Sequence, residues 1–233
     1  MIHIQPLTDL EALDEAVTLQ RTIWGYTDID LESRALLVIA NRFVGQLLGA
    51  FNDGRLIGIA LAFFTASENE LRLHSHRVGV LQEYQNQGIG RMLKLAQRAD
   101  ALRRGIQVIQ WTFDPLQRRN AYFNIEKLGG LARRYIPNLY GITSSPLHGG
   151  LPTDRLLIEW ELESSRVLEV LGDKKPAPSS DAIRISVPDL SESKNPELQL
   201  ELRNQLVEKL DSGYAVTGFE RFPDRAFYVL EKS

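Results

Sequence analysis

The stretch from Val80 to Arg91 constrains the fold most, because it joins an apolar run to a helical pattern through a polar turn. Apolar residues recur at helical spacing after this turn, so one face of the following segment is apolar. Gly88 and Gly90 lie at the junction, where glycine lets a ligand approach the backbone and adopts positive φ at little cost. The first amides of a helix lack internal acceptors and lie at the positive end of its dipole. The stretch therefore predicts a strand–turn–helix unit that can bind a phosphate or a pyrophosphate, with a purely structural turn as the alternative.

The spacing of the turn residues is Gln85-x-x-Gly88-x-Gly90. It lacks the third glycine of the dinucleotide-binding pattern and the Gly-Lys-Ser/Thr ending of the phosphate-binding loop. It resembles the acyl-coenzyme A (acyl-CoA) signature of the GNAT N-acyltransferases, Gln/Arg-x-x-Gly-x-Gly/Ala, at all three fixed positions. The run from Asn120 to Gly129 contains Glu-Lys-Leu-Gly and resembles the end of the family's last helix. Two motifs in the family's order imply an N-acyltransferase that uses acetyl-CoA or another acyl-CoA, succinyl-CoA included.

The resemblance implies that the cofactor binds along this turn. Backbone amides near Leu81 and from Gln85 to Gly90 are expected to bind the acyl carbonyl and the pyrophosphate. Arg91 and Lys94 are expected either to meet phosphates or to form a solvated basic face. The predicted cofactor-binding residues are Val80, Leu81, Gln85, Asn86, Gln87, Gly88, Ile89, Gly90, Arg91 and Asn120, the last of which matches a family asparagine that contacts the cofactor arm.

Acyl transfer to an amine also requires a base, because the amine must be neutral to attack. His74 and His76 point to the same face of the strand before the turn, and imidazole titrates near neutrality. His76 is the predicted base, Glu83 is a weaker candidate, and His74 is expected to contact the substrate. Two alternatives stay open, a pair of hydrogen-bonded core histidines and a metal pair. No third metal ligand stands out, so no metal is predicted.

The general acid is where the sequence departs from the family pattern. Many members carry a tyrosine before Glu-Lys-Leu-Gly, but here Ile125 occupies that position and cannot donate a proton. Tyr122 lies three residues earlier, near the same helical face, and is the predicted acid. Asn124 or water could take that role instead, and Tyr122 could equally be a packing aromatic.

A glycine-rich loop precedes the last core strand and carries several polar side chains. Long loops with such residues are commonly functional. His148 and Arg155 are therefore predicted to bind a substrate carboxylate. A purely structural ion pair between Asp154 and Arg155 is the alternative.

The order of apolar patterns predicts an α/β (α+β) fold, and the resemblance implies the GNAT fold. This fold has a mixed, mostly antiparallel central sheet flanked by helices, here followed by a C-terminal α/β extension. The first helix is expected to start at a capping box, Thr8 to Glu11, and to end at Gly25. Residues 1–163 are predicted to form the acyl-CoA-binding core, 164–180 a linker, and 181–233 a strand–helix–hairpin extension packed on the core.

Composition narrows the function further. The absence of cysteine excludes disulfides, thiolate nucleophiles and cysteine-bound zinc. The net charge of −3 gives no support to a nucleic-acid or membrane partner, and neither a long apolar run nor a signal segment is present, so a cytoplasmic protein is expected. The expected partner is a small-molecule amine, for example an amino acid. Exposed strand edges are also compatible with a homodimer. The rival hypothesis is a non-catalytic acyl-CoA sensor.

Overall fold

The computed structural model describes residues 1–67, 70–142, 150–189 and 195–232. The architecture is mixed α/β, with mostly antiparallel strand pairing flanked by helices. The described residues divide into two compact units, one up to Ile109 and the other from Gln110. Among the residues that the structure describes, no helix is long and apolar enough to cross a membrane.

The first unit contains four antiparallel strands in the order β1-β2-β3-β4. The β2–β3 connection is a two-residue turn, in which Asp53 and Gly54 both have positive φ, as a tight hairpin requires. The elements of the first unit are β1 Ile2–Pro6, α1 Leu10–Trp24, α2 Arg34–Ile39, a π-helical turn Ala40–Val44, β2 Gly45–Asn52, β3 Arg55–Ser67, β4 Glu70–Val80 and α3 Ile89–Arg103.

Helix α1 begins one residue later than the predicted capping box requires. Asp9 is the N-cap, and its Oδ1 accepts a hydrogen bond of 2.8 Å from the amide of Ala12. An aspartate is at least as good a cap as a threonine, so Asp9 rather than Thr8 sets the start of the helix. The predicted end at Gly25 is confirmed, since this glycine adopts the left-handed conformation that closes helices.

The second unit contains the strand order β7-β6-β9-β10-β8. The boundary between the units falls inside β5, Val108–Phe113. The remaining elements are α4 Arg118–Tyr122, a π-helical turn Phe123–Lys127, β6 Leu131–Ile136, β7 Arg155–Glu161, α5 Ser165–Leu171, β8 Ile183–Val187, α6 Pro196–Asp211, β9 Tyr214–Arg221 and β10 Ala226–Lys232.

The C-terminal extension is built into the second unit. Strand β9 lies beside β6, with Val216 opposite Ala132, and β10 pairs with both β9 and β8. The buried Tyr228 donates its hydroxyl to the carbonyl oxygen of Pro115 at 2.7 Å. The predicted linker 164–180 is partly wrong, because its first half forms α5 with Ser164 as its N-cap. A serine cap followed by an apolar face on Val167 and Val170 explains this helix.

Candidate active site

The turn after β4 is closed by its own side chain. A short 3₁₀ turn, Gln82–Tyr84, follows the strand, and the side-chain amide of Gln85 donates to the carbonyl oxygen of Val80 at 3.0 Å. Asn86 and Gly88 then adopt positive φ of 63° and 81°. Such a conformation is uncommon for a residue other than glycine, so the turn is specifically shaped.

The N-terminus of α3 carries no side-chain cap. Gly88 is the N-cap residue, and the first turn of the helix is closed by Met92, whose amide donates to the carbonyl of Gly88 at 3.0 Å. A Cβ placed on Gly88 would meet nothing within 4 Å, so the space beside Gly88 is open. The first amides of an α-helix lack acceptors within the helix, and such an end can bind an anionic group.

The amide of Leu81 is already used within the sheet. It donates to the carbonyl of Ile57 on β3 at 2.9 Å, so the prediction that it binds an acyl carbonyl is corrected. Successive amides of a strand point to opposite edges, and the amide of Val80 consequently points away from β3.

Lys94 does not lie on a solvated face. Its side chain is 3% exposed, and its Nζ donates to Ser75 Oγ at 2.7 Å, which in turn donates to Gln97 Oε1 at 2.9 Å. Burial lowers the pKa of Lys94 well below its ordinary value. The prediction that Lys94 meets phosphates is wrong, because the helix turns this residue toward β4. Arg91, in the first turn of α3, is half-buried.

The predicted base is hydrogen-bonded to a carboxylate that the sequence did not indicate. His76 Nε2 lies 2.8 Å from Glu32 Oε1, and Arg77 Nε donates to the same oxygen at 3.1 Å. A bulge in β4 brings both side chains there, because Leu61 pairs with Arg77 and Ala62 with Ser75, which leaves His76 as an extra residue. The hydrogen bond from His76 and the charges of both neighbours hold the pKa of Glu32 below its usual value, although burial opposes them.

Glu32 is fixed from the backbone side as well. The buried Gln20 on α1 donates from Nε2 to the carbonyl of Glu32 at 3.0 Å and accepts from its amide at 2.9 Å. Arg77 is held in turn by the hydroxyl of Tyr26 at 2.7 Å and by the carbonyl of Asp30 at 3.2 Å. The His76–Glu32 pair is therefore a positioned dyad, and both side chains retain some contact with solvent at 23% and 15% exposure.

The second histidine lies close to the first. The ring centroids of His74 and His76 are 6.4 Å apart. Burial, followed by the positive charges of His76 and Lys94, lowers the pKa of His74 to about 4, so His74 is neutral near pH 7. Glu83 lies elsewhere on the turn, exposed and paired with Arg55 at 3.0 Å. In the described ranges, no group of three or more acidic or histidine side chains could hold a metal ion.

The second unit contains the other predicted residues. Tyr122 ends α4 and is half-buried, and Asn120 is exposed on the same helix. The guanidinium carbon of Arg221 lies 4.0 Å from the centroid of the Tyr122 ring. Asn124, the alternative acid, is buried with 4% exposure.

Asp154, at the end of the glycine-rich loop, pairs with a different arginine from the one considered. The side chain of Asp154 is fully buried, and Arg203 on α6 donates to both of its oxygens at 2.8 and 2.9 Å. Arg155 is 7% exposed, donates to the backbone carbonyl of Asp154 at 2.9 Å and lies over the ring of Tyr140. The structure therefore gives Arg155 a structural role in place of the predicted substrate contact, and His148 lies outside the described residues.

Comparison with known proteins identifies the class. The acetyltransferase (GNAT) family model matches residues 13–129, and the chain belongs to this family. The predicted family and fold are confirmed. No curated protein matches the sequence significantly.

Solved structures agree with this fold. They include the ribosomal-protein-S18-alanine N-acetyltransferase of Escherichia coli, which is 16% identical with a TM-score of 0.55, over 71% of this chain and 96% of that one. A GNAT acetyltransferase of Elizabethkingia anophelis with acetyl-CoA bound is 20% identical with a TM-score of 0.52, over 69% and 97%. The PaiA N-acetyltransferase of Thermoplasma acidophilum in complex with coenzyme A is 19% identical with a TM-score of 0.50, over 69% and 99%. At these identities the likeness shows the fold.

Proposed function

We propose that this chain is an acyl-CoA-dependent N-acyltransferase that moves an acetyl or succinyl group to the amine of a small molecule, with amino acids among the candidate acceptors. The observation that carries the proposal is the uncapped N-terminus of α3 beside the Gln85–Gly90 turn, in a chain of the acetyltransferase family. Acetyl-CoA and coenzyme A are bound in the solved relatives from Elizabethkingia anophelis and Thermoplasma acidophilum.

The turn fits the anionic part of such a cofactor. Asn86, Gln87 and Gly88 are exposed, and no side chain caps the first amides of α3, which suits a pyrophosphate. The amide of Val80 points away from β3 and is the proposed donor to the acyl carbonyl. When bound, acyl-CoA would supply a thioester, whose carbonyl carbon accepts the amine.

His76 is the proposed general base, acting directly or through a water molecule. Because the pKa of Glu32 is held low, Glu32 is ionised near neutral pH. Its carboxylate then accepts a hydrogen bond from the Nε2–H group of a neutral imidazole. This tautomer leaves the lone pair on Nδ1 to take a proton from the substrate ammonium group, and the neutral amine that results attacks the thioester carbonyl. Glu32 positions the ring and stabilises the imidazolium that forms.

Tyr122, or a water molecule, is the proposed proton donor to the leaving thiolate. A coenzyme A thiol is acidic enough that this step does not require a dedicated acid. Replacement of Tyr122 by phenylalanine is consequently expected to have a smaller effect than replacement of His76.

Two measurements on the full chain test the proposal. Calorimetric titration with acetyl-CoA and succinyl-CoA measures binding, and thiol release with a panel of amines, amino acids and short peptides measures turnover. His76→Ala is expected to retain cofactor binding and to lose activity by roughly 10²-fold or more. Asp28→Asn, which removes an exposed ion pair with Arg21, is the control for charge changes in this unit.

The outcomes separate the alternatives. Binding without turnover for every amine would support a sensor and refute the enzyme. Turnover with peptides alone would retain acyl transfer but refute the small-molecule acceptor.

A further inference from the structure

Two cations flank the ring of Tyr122 in the second unit. The guanidinium carbon of Arg221 lies 4.0 Å from the ring centroid, and Nζ of Lys127 lies 5.7 Å from it. Both distances allow a cation–π contact. Arg221 and Lys127 are exposed, whereas the ring of Tyr122 is half-buried.

The chain builds this arrangement from two separate segments. The π-helical turn Phe123–Lys127 widens the end of α4 and brings Lys127 near the ring five residues before it. Strand β9 supplies Arg221, and Glu126 Oε1 fixes that strand by accepting the amide of Phe219 at 2.8 Å. The family match ends at residue 129, so Arg221 is contributed by a part of the chain beyond it.

The positive charges of Arg221 and Lys127 are not balanced by neighbouring carboxylates. Within the described part of the chain, neither side chain forms an ion pair. The nearest carboxylates along the chain have other partners, Glu126 with Lys175 at 3.7 Å and Glu220 with Arg184 at 2.8 Å. Both cations lie near one ring, and an anion bound beside them would offset positive charge that no carboxylate among the described residues neutralises.

We propose that Arg221 and Lys127 form an anion subsite at the face of Tyr122 and bind a carboxylate or phosphate group of a substrate. The guanidinium presents a planar set of donors suited to both groups, and the ring holds it in place. The anion has two possible sources, a phosphate of coenzyme A and a carboxylate on the acyl group or the acceptor. This assignment of substrate chemistry rests on the proposed function.

The test uses Arg221→Met and Lys127→Met, which keep the apolar stems and remove the charges. Arg225→Met is the matched control, because Arg225 lies on the same hairpin over another aromatic ring, Phe222, at 5.3 Å. Removal of either charge at the subsite is expected to weaken binding of the anionic probe by about fivefold, which is the upper range for an exposed charge pair. Arg221→Lys is expected to recover part of the loss, and added NaCl is expected to diminish the difference.

The probes distinguish the two sources. If the anion is the 3′-phosphate of coenzyme A, Arg221→Met weakens calorimetric binding of coenzyme A but not of 3′-dephospho-coenzyme A. Because the thiol is at the other end of the cofactor, this result would also assign the acid role to water and not to Tyr122. If it is a carboxylate, the variant raises KM for succinyl-CoA relative to acetyl-CoA, or for an amino acid relative to its amide. The subsite is refuted if Arg221→Met and Lys127→Met match Arg225→Met with every probe.

Melting temperatures show whether each variant is folded. If Arg221→Met does not fold, Lys127→Met tests the subsite instead. The binding arm also separates this proposal from the proposed function. A coenzyme A phosphate effect without turnover on any amine would retain the subsite and refute the acyltransferase.

Discussion

Replacement of Glu32 by glutamine tests the dyad that positions His76. The substitution keeps the shape of the side chain and an oxygen acceptor but removes the charge. Glu32 Oε1 receives two hydrogen bonds, at 2.8 Å from His76 and 3.1 Å from Arg77. Charge-assisted bonds are roughly twice as strong as neutral ones, so each bond is expected to lose about 1 kcal/mol and the variant about 2 kcal/mol of stability.

The loss depends on pH with a defined sign. The pKa of Glu32 is lowered in the folded state from its ordinary value of 4.5. A carboxyl group of this kind stabilises the fold above its unfolded pKa, and the contribution disappears as pH falls through the folded pKa. The difference between wild type and Glu32→Gln is therefore expected to be full at about pH 7 and to vanish well below pH ~4.

Urea denaturation across this pH range measures the effect, and the thiol-release assay is expected to show a fall in kcat on the order of tenfold because the base is no longer held in place. Asp28→Asn serves as the control. Its ion pair with Arg21 is exposed, with side chains 87% and 50% accessible, and a change below about 0.5 kcal/mol is expected. A Glu32→Gln variant as stable as wild type at neutral pH, or one whose deficit persists unchanged in acid, would refute the reasoning.

Three further predictions concern the rest of the chain. Gly88→Val requires a β-branched residue at φ of 81°, so stability is expected to drop by about 1–2 kcal/mol. Calorimetric binding of coenzyme A is also expected to weaken, and a variant with unchanged binding would contradict the role of the turn. Because the pKa of Lys94 is lowered in the folded state, the unfolded state binds more protons than the folded state, and wild-type stability should rise from about pH 7 to pH 9. Denaturation curves of Lys94→Met should lack this rise. Arg203→Met removes the cationic partner of the buried Asp154 carboxylate, and urea denaturation should show a loss of about 3 kcal/mol. A loss below about 1 kcal/mol would contradict the assignment.

The order of helices and strands could be predicted because it depends on local patterns. The helix end at Gly25 and the glycine turn before α3 both lie within a few residues of the signals that specify them. The fold class and family followed from those patterns and two motifs.

The partners of the candidate site could not be predicted in the same way. The role of the Leu81 amide depends on its pairing with Ile57 on another strand, and Glu32 lies 44 residues from His76 in a segment without a motif. Lys94 looked like a surface lysine, but residues 93, 94, 97 and 101 share the buried face of α3. These features depend on register and on which face a helix presents, and those are set by tertiary packing.

The junction between β6 and β9 has a practical consequence for anyone shortening this protein. Truncation at residue 163, the predicted end of the acyl-CoA-binding core, would remove β9, the neighbour of β6, and leave that edge of β6 open. Such an edge recruits other chains, so the shortened protein should precipitate rather than behave as a minimal enzyme. The 70 residues after position 163 (233 − 163) are thus expected to be required for solubility and not to be a removable appendage.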